Sequence, residues 1–180
     1  QKGGSMETIK LGDLVGFTLG KNRSRLDLPA DEIYMPDDFT SDLHSRNNLS
    51  GIGDCVINQI QTKATVRSEK TQDKCLTSYF IQCKLYSEVL DSWYFCYQFN
   101  QGRELKRQIA MGLQGVTLSV KQVSIPTLEK MEIPIVSIDK QRILGRMYKQ
   151  SIIQTDLMMA KAENFQEATL QMIKRIMEDE

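Results

Sequence analysis

The sequence predicts an α+β fold: one domain with a mixed or antiparallel sheet and short helices, followed by a long C-terminal coiled-coil helix. Strand-type segments bounded by turns dominate the first half of the chain, and helix-type segments follow them. Segregated strands and helices are typical of α+β proteins. Neither glycine nor proline occurs after Gly145, so nothing in the last part of the chain interrupts a helix.

The composition is that of one folded domain with an appended element. The chain has 180 residues, of which 41% are hydrophobic and 26% are charged. Residues 1–5, before Met6, have the character of an expression-tag remnant. We therefore expect a globular domain over residues 6–138 and a helix over 139–180. No apolar run reaches the roughly 18 residues of a membrane span, and no signal segment follows Met6, which predicts a cytoplasmic protein.

The first half of the chain carries most of the predicted strands. Apolar and polar residues alternate over residues 8–18, which predicts a first strand or a short helix that leads into a strand. Residues 20–29 are expected to form a basic loop. Residues 33–49 are polar, with turn signals such as Met35-Pro36, and are expected to be irregular. After a turn at residues 51–54, strand-type composition is found at residues 55–60, 64–66 and 77–85.

Helices dominate the second half. Asp91 can cap a helix that runs through Phe99, and residues 102–111 form another. Residues 112–141 predict a glycine loop, a strand, a proline-started helical turn and a bend at Ile133-Pro134. Either Ser137 or Asp139 can then cap the long helix.

The long helix carries an apolar stripe at intervals of three and four residues. About 40 residues would form roughly 60 Å of helix at 1.5 Å per residue, longer than a domain of this size can cover. The stripe therefore requires a second helix or another chain. Two helices that fold back on the domain remain an alternative. The residues of the stripe are Leu144, Tyr148, Met158, Ala162, Phe165, Met172 and Ile176.

The charges cancel in total but not locally. There are 23 basic and 23 acidic residues, which argues against a protein that coats nucleic acid indiscriminately. Residues 27–54 are acidic, whereas the segments on either side, residues 21–25 and 63–84, are basic. Such segregation predicts either one electropositive face suited to phosphate contact or an ordinary mixed surface.

The four cysteines do not have the spacing of a zinc site. Cys55, Cys75, Cys83 and Cys96 lack closely spaced pairs, and their neighbours are apolar. We therefore expect buried, reduced thiols, no metal and no cofactor.

Several short motifs, in order, resemble the specificity subunit of type I restriction-modification systems. They are Lys10-Leu11-Gly12-Asp13-Leu14, Gly53-Asp54-Cys55-Val56-Ile57, Leu90-Asp91-Ser92-Trp93-Tyr94, Glu132-Ile133-Pro134-Ile135 and Ile138-Asp139-Lys140-Gln141-Arg142-Ile143. The resemblance runs from Thr8 onward and corresponds to half of such a subunit, one target recognition domain with one spacer helix.

The resemblance implies a non-catalytic protein that binds double-stranded DNA and directs a methyltransferase subunit to its target. Since family members usually have two recognition domains and two antiparallel spacers, a half-length chain implies a homodimer through the long helix. Whether a restriction nuclease subunit also joins the complex stays open.

DNA recognition requires cations for phosphates and bidentate side chains for base edges. The phosphate candidates are Lys21, Arg23, Arg25, Lys63, Arg67 and the loop 112–117. The base-edge candidates are Asn22, Asn58, Gln59, Gln61 and Gln114.

Other classes of function fit less well. The sequence has neither the Asn/Asp-Pro-Pro-aromatic motif nor the glycine-rich turn of an amino-methyltransferase. A metal-dependent nuclease would have to combine Asp37 with Glu104 and Lys106, which are far apart in sequence. The main alternative is an interaction protein whose helix binds another chain and whose domain binds no DNA.

Overall fold

The computed structural model describes residues 7–44, 48, 53–113 and 122–178. Its strands are β1 (Thr8–Lys10), β2 (Val15–Leu19), β3 (Ile33–Tyr34), β4 (Cys55–Asn58), β5 (Lys63–Val66), β6 (Cys75–Leu76), β7 (Phe80–Leu85) and β8 (Glu132–Pro134). Its helices are α1 (Pro36–His44), α2 (Ser92–Gln101), α3 (Arg103–Gly112), α4 (Ile125–Lys130) and α5 (Ile138–Glu178). The predicted α+β class with a long C-terminal helix is confirmed.

A four-stranded antiparallel sheet with the order β2-β7-β4-β5 forms the centre of the domain. All four residues of β4 are buried, as are Ala64, Thr65 and Val66 of β5. Helix α2 contacts β5 and contributes Trp93, Phe95 and Phe99 to the core. This burial explains the nearly continuous apolar composition of residues 55–57 and 93–96.

Two smaller pairings complete the fold. Strand β1 pairs antiparallel with β8, with Ile9 opposite Ile133, and so joins the start of the domain to the segment before α5. The predicted bend at Ile133-Pro134 is instead this short strand, with the proline at its end. Strand β3 pairs in parallel with β6.

The prediction that residues 33–49 are irregular is wrong, because Pro36–His44 form α1. Pro36 occupies the first turn, where its missing N–H is not needed, and Asp38 accepts a 2.8 Å hydrogen bond from the Met35 N–H. Phe39 and Leu43 then bury one face of the helix. The Met35-Pro36 pattern, interpreted as a turn, is a helix start.

The long helix is continuous, so the alternative of two helices that fold back is wrong. It begins at Ile138 and runs for 41 residues. Residues 138–156, the helix root, contain every buried or half-buried position of α5, whereas residues 157–178, the exposed arm, are fully exposed to solvent. The arm alone is roughly 33 Å long at 1.5 Å per residue.

The cysteines agree with the expectation of reduced thiols. Cys55, Cys83 and Cys96 are buried and free, and Cys75 is half-buried and free. Burial raises the pKa of the Cys83 and Cys96 thiols well above the ordinary value. They behave as small core residues.

Candidate nucleic-acid interface

One end of the central sheet gathers most of the polar and basic residues that the sequence singles out. Because neighbouring strands are antiparallel, the last residues of β2 and β4 lie beside the first residues of β7 and β5: Leu19 pairs with Ile81, and Asn58 pairs with both Phe80 and Lys63. The segments that leave these strands are residues 20–25, 59–62 and 77–79. We call this region the basic end of the sheet.

The loop after β2 is bound to the connection before β7. The Lys21 N–H donates to the Leu76 carbonyl at 2.8 Å, and the Ser78 N–H donates to the Lys21 carbonyl at 2.9 Å. At Gly20 an added Cβ would lie 2.1 Å from the Thr77 carbonyl oxygen, so only glycine permits this approach. The Lys21 backbone is therefore held next to Ser78, and the residue is exposed.

A single turn of 3-10 helix, Arg23–Arg25, presents two arginines. The Asn22 side chain caps this turn, since its Oδ1 accepts hydrogen bonds from the Ser24 N–H at 3.1 Å and from the Ser24 hydroxyl at 3.0 Å. Arg23 and Arg25 are exposed, in keeping with phosphate contact. Asn22, predicted to read base edges, instead holds the loop that displays its neighbours.

The turn between β4 and β5 is also held by a predicted base-reading residue. Asn58 is buried, and its Oδ1 accepts from the Ile60 N–H at 3.0 Å and from the Gln61 N–H at 3.1 Å. Thr62 completes the turn with φ 52°, a left-handed conformation that is uncommon for a non-glycine residue. Gln61 and Lys63 are exposed at this turn.

Gln59 fastens the β4–β5 turn to the β6–β7 connection. Its backbone N–H donates to the Tyr79 carbonyl at 2.9 Å, and its side-chain Nε2 donates to the Ser78 carbonyl at 2.8 Å. Gln59 is buried, and its amide is engaged within the protein. Asn58 and Gln59 therefore position the surface instead of lying on it, since short polar side chains often bond nearby backbone groups.

Arg67 lies at the opposite end of β5 and is buried. Its guanidinium donates to the Thr71 carbonyl and, at 2.7 Å, to the Lys74 carbonyl, and it lies over the Tyr34 ring at 5.3 Å from the centroid. Burial lowers the pKa of Arg67, and the nearby Tyr34 and Asp54 offset part of that effect. Arg67 is thus a structural cation and does not belong to the basic end.

Gln114 and most of the loop 112–117 lie outside the described residues. The next described residues are 122–124.

 

Gln122, Val123 and Ser124 line a cavity of about 500 Å³ together with Leu19, Gln59 and Tyr79. Residues 122–124 therefore lie at the basic end of the sheet.

The predicted stripe of the long helix divides into two parts. Leu144 and Tyr148 pack on the domain: the Tyr148 ring lies 5.6 Å from the Tyr97 ring, and its hydroxyl accepts a 3.0 Å hydrogen bond from Asn100. The remaining members lie on the exposed arm and are exposed in the described part of the chain. They are Met158, Ala162, Phe165, Met172 and Ile176.

Three buried residues of the helix root, which the sequence did not single out as contacts, attach α5 to the domain. Gln141 donates from Nε2 to the carbonyls of Val89 and Val136, at 2.9 and 2.8 Å, and accepts from the Asp91 N–H at 3.0 Å. At Gly145 an added Cβ would lie 2.5 Å from Asp91 Oδ1, so glycine permits close packing on the start of α2. The sequence signal for these contacts is a polar residue or a glycine at every fourth position of the helix, at residues 141, 145 and 149.

Lys149 is the third of these residues, and it is fully buried. Its ammonium donates to the carbonyls of Leu43 and, at 3.2 Å, Asp42 at the C-terminal end of α1, and it lies 4.5 Å from the centroid of the Trp93 ring. A cation is favourable at a helix C-terminus. Burial nevertheless lowers the pKa of Lys149 to about 8, and nearby acidic groups, including Asp42 and Asp156, offset part of that effect.

Within the described ranges, no group of three or more His, Cys, Asp or Glu side chains is arranged to hold a metal ion. None of the helices in the described part of the chain is both long and apolar enough to cross a membrane.

Comparison with known proteins identifies the fold. No protein-family model matches the sequence, and neither does any curated protein. The structure is similar to the HsdS subunit from Thermoanaerobacter tengcongensis, with a TM-score of 0.55 and 16% identity over 90% of this chain and 42% of that one. It is also similar to a chain from a study of complex assembly and conformational transition in a type I R-M system. That match has a TM-score of 0.60 and 15% identity over 96% of this chain and 45% of the other.

The structural likeness establishes which fold the chain has and how much of the solved chains it covers. The chain has the fold of the HsdS subunit of type I restriction-modification systems, and it spans less than half the length of either solved chain. The resemblance predicted from the sequence, one recognition domain with one spacer helix, is confirmed at the level of the fold.

Proposed function

We propose that the chain is a non-catalytic, sequence-specific DNA-binding subunit that directs a type I methyltransferase to its target. The observation that carries the proposal is the fold likeness, which includes both the domain and the long helix over 96% of the chain. The basic end of the sheet supports it, because Lys21, Arg23, Arg25 and Lys63 are exposed there on rigidly held segments.

The phosphate-contacting residues of this proposal are Lys21, Arg23, Arg25 and Lys63. Arg67 is left out because its guanidinium is buried, and Asn22, Asn58 and Gln59 are left out of base reading because their side chains hold loops. Gln61 stays as a base-edge candidate because it is exposed at the β4–β5 turn. Gln114 stays a prediction from the sequence.

The proposal includes a homodimer through the exposed arm. A helix of roughly 33 Å with an apolar stripe and no cover in the described part of the chain is typical of a coiled-coil partner. A second copy supplies the same stripe, and two copies together match the two recognition domains that the resemblance implies. The methyltransferase would then bind the assembled pair in the cytoplasm.

The test is binding to double-stranded DNA, measured by fluorescence anisotropy at two salt concentrations. The double variant Arg23→Ala/Arg25→Ala should weaken binding to all duplexes, and should lower the salt slope by roughly one for each lost phosphate contact. The matched control is Arg103→Ala, which removes an exposed arginine on α3. It should leave both the affinity for DNA and the salt slope unchanged.

The exposed stripe also favours the alternative, a helix-mediated interaction protein whose domain binds no DNA. The same experiment separates the two functions. Failure of the chain to bind DNA, both alone and with a type I methyltransferase subunit, would contradict our proposal and support the alternative.

A further inference from the structure

The loops at the basic end of the sheet, residues 20–25, 59–62 and 77–79, include two exposed large apolar residues near the cations. Ile60 is 65% exposed and Tyr79 is 50% exposed. Single exposed apolar residues are ordinary on protein surfaces. These two differ because they lie on adjacent segments that buried polar residues hold in place.

The turn that carries Ile60 is fixed from within. The buried Asn58 carboxamide accepts hydrogen bonds from the N–H groups of both Ile60 and Gln61, and Thr62 has a left-handed backbone. Gln59 then ties this turn to the segment of Tyr79 through its backbone and its side chain. The position of Ile60 relative to Tyr79 is therefore set by the fold.

The residues near Ile60 indicate which chemical groups its side chain would contact. Gln61 follows Ile60 and is exposed, and Lys21 and Lys63 lie on the adjoining segments. An A·T pair presents in the major groove an acceptor and a donor on adenine, which match a glutamine amide, and an apolar methyl group on thymine. An isoleucine beside a glutamine, with cations on either side for phosphates, has the matching chemistry.

We propose that Ile60 and Gln61 together read an A·T base pair, with Ile60 packed on the thymine 5-methyl group. This inference rests on the proposed function, since it assigns a base-reading role within the same surface. It makes Ile60 a specificity-determining residue. Its β-branched side chain is stiff, so a fixed backbone gives it a fixed position.

The experiment uses the full chain and duplexes enriched by binding selection from a random-sequence pool. Each thymine of a selected duplex is replaced in turn by deoxyuridine, which removes only the 5-methyl group. At one A·T position, replacement should weaken binding about fourfold, the factor expected for one buried methyl-sized group. Ile60→Ala should weaken binding to the thymine duplex by at least as much and should abolish the difference between thymine and deoxyuridine at that position.

The matched control is Tyr86→Ala. Tyr86 is also 65% exposed, but it follows the far end of β7, so its removal should leave the deoxyuridine effect intact. Sequence-selective binding without any deoxyuridine effect, or an effect that persists in Ile60→Ala, would overturn the inference and leave the proposed function standing.

Two other outcomes also decide the matter. If Ile60→Ala weakens binding while deoxyuridine has no effect, Ile60 acts as a wedge between base steps, and methyl reading is overturned. If the wild-type chain shows no DNA binding, the proposed function fails and the inference fails with it.

Discussion

At the residue scale, the most informative finding is that polar residues suited to DNA contact serve the fold instead. Arg67, Asn58 and Gln59 have the right side chains, but each bonds backbone groups of its own domain. A buried polar group that satisfies several backbone carbonyls or N–H groups is costly to remove. Side-chain chemistry alone therefore cannot distinguish a ligand contact from a structural one.

Replacing Arg67 by methionine should destabilise the domain without changing DNA binding. The change leaves the Thr71 and Lys74 carbonyls without their donor, and we expect the free energy of unfolding to fall by about 1–3 kcal/mol. Urea unfolding measures the loss, and anisotropy measures the salt slope. Lys70→Met, an exposed neighbour, is the control and should cost little. A reduced salt slope in a folded Arg67→Met protein would contradict this prediction, because it would mean that Arg67 contacts a DNA phosphate.

Lys149 predicts a pH dependence with a definite sign. Its pKa is about 8 in the folded protein, below the ordinary value of 10.5, so the unfolded chain binds more protons between these pH values. The contribution of Lys149 to the free energy of unfolding should therefore increase as pH rises through this window. Urea unfolding of the wild type and of Lys149→Met should be measured at pH 7.5 and 9.5. The free energy of unfolding of the wild type relative to that of Lys149→Met should be higher at pH 9.5 than at pH 7.5. A difference independent of pH would contradict the prediction.

At the scale of elements, α5 has two functions in one helix. Its root is part of the domain, with Gln141 and Lys149 fully buried, whereas its arm exposes large apolar residues such as Phe165, at 76%. An apolar stripe without cover is typical of an interface. The change occurs after Asp156, which bonds His44 at 2.6 Å and is the last half-buried position of the described helix.

Phe165→Glu should convert a dimer of the chain to a monomer. A carboxylate in an apolar helical seam loses its hydration, so the dissociation constant should rise at least tenfold. Sedimentation at micromolar concentration measures the change. Ala160→Glu adds the same charge about 140° around the helix and is the control. A wild-type chain that is already monomeric at that concentration would contradict the proposed dimer.

The sequence predicted the elements whose pattern is local and missed those that depend on tertiary contact. Proline and capping signals placed the start of α5 within a residue, and the strands of the central sheet followed from apolar runs. Helix α1 was missed because its buried face is short, only Phe39, Asp42 and Leu43. Leu144 and Tyr148 were assigned to a partner because periodicity identifies an apolar face but not what covers it.

The same limit applies to the interface. Loop residues such as Arg23 and Gln61 could be predicted as exposed polar groups, and the structure does expose them. That Arg67 turns inward and Ile60 turns outward follows from hydrogen bonds whose partners are brought into place by the conformation of the folded loops. No pattern in the sequence records those bonds.

At the scale of the whole molecule, a two-fold dimer would present the same reading surface twice, in opposite directions. It should therefore prefer duplexes with two inverted half-sites over direct repeats of the same half-site, by at least tenfold. Anisotropy with matched duplexes measures the preference, and Phe165→Glu should not distinguish the two arrangements. Equal affinity of the wild type for both would contradict a two-fold arrangement.

The three root residues Gln141, Gly145 and Lys149 leave α5 without a hinge at the point where it meets the domain. In a dimer joined through the arms, the phase of one reading surface relative to the other is then set by the helix and not by a flexible linker. DNA whose half-sites are spaced one base pair too far apart would have to untwist to fit, at a cost that depends on its own stiffness. Inserting one residue into α5 after Asp156 would rotate the domains by about 100° and demand a different spacing.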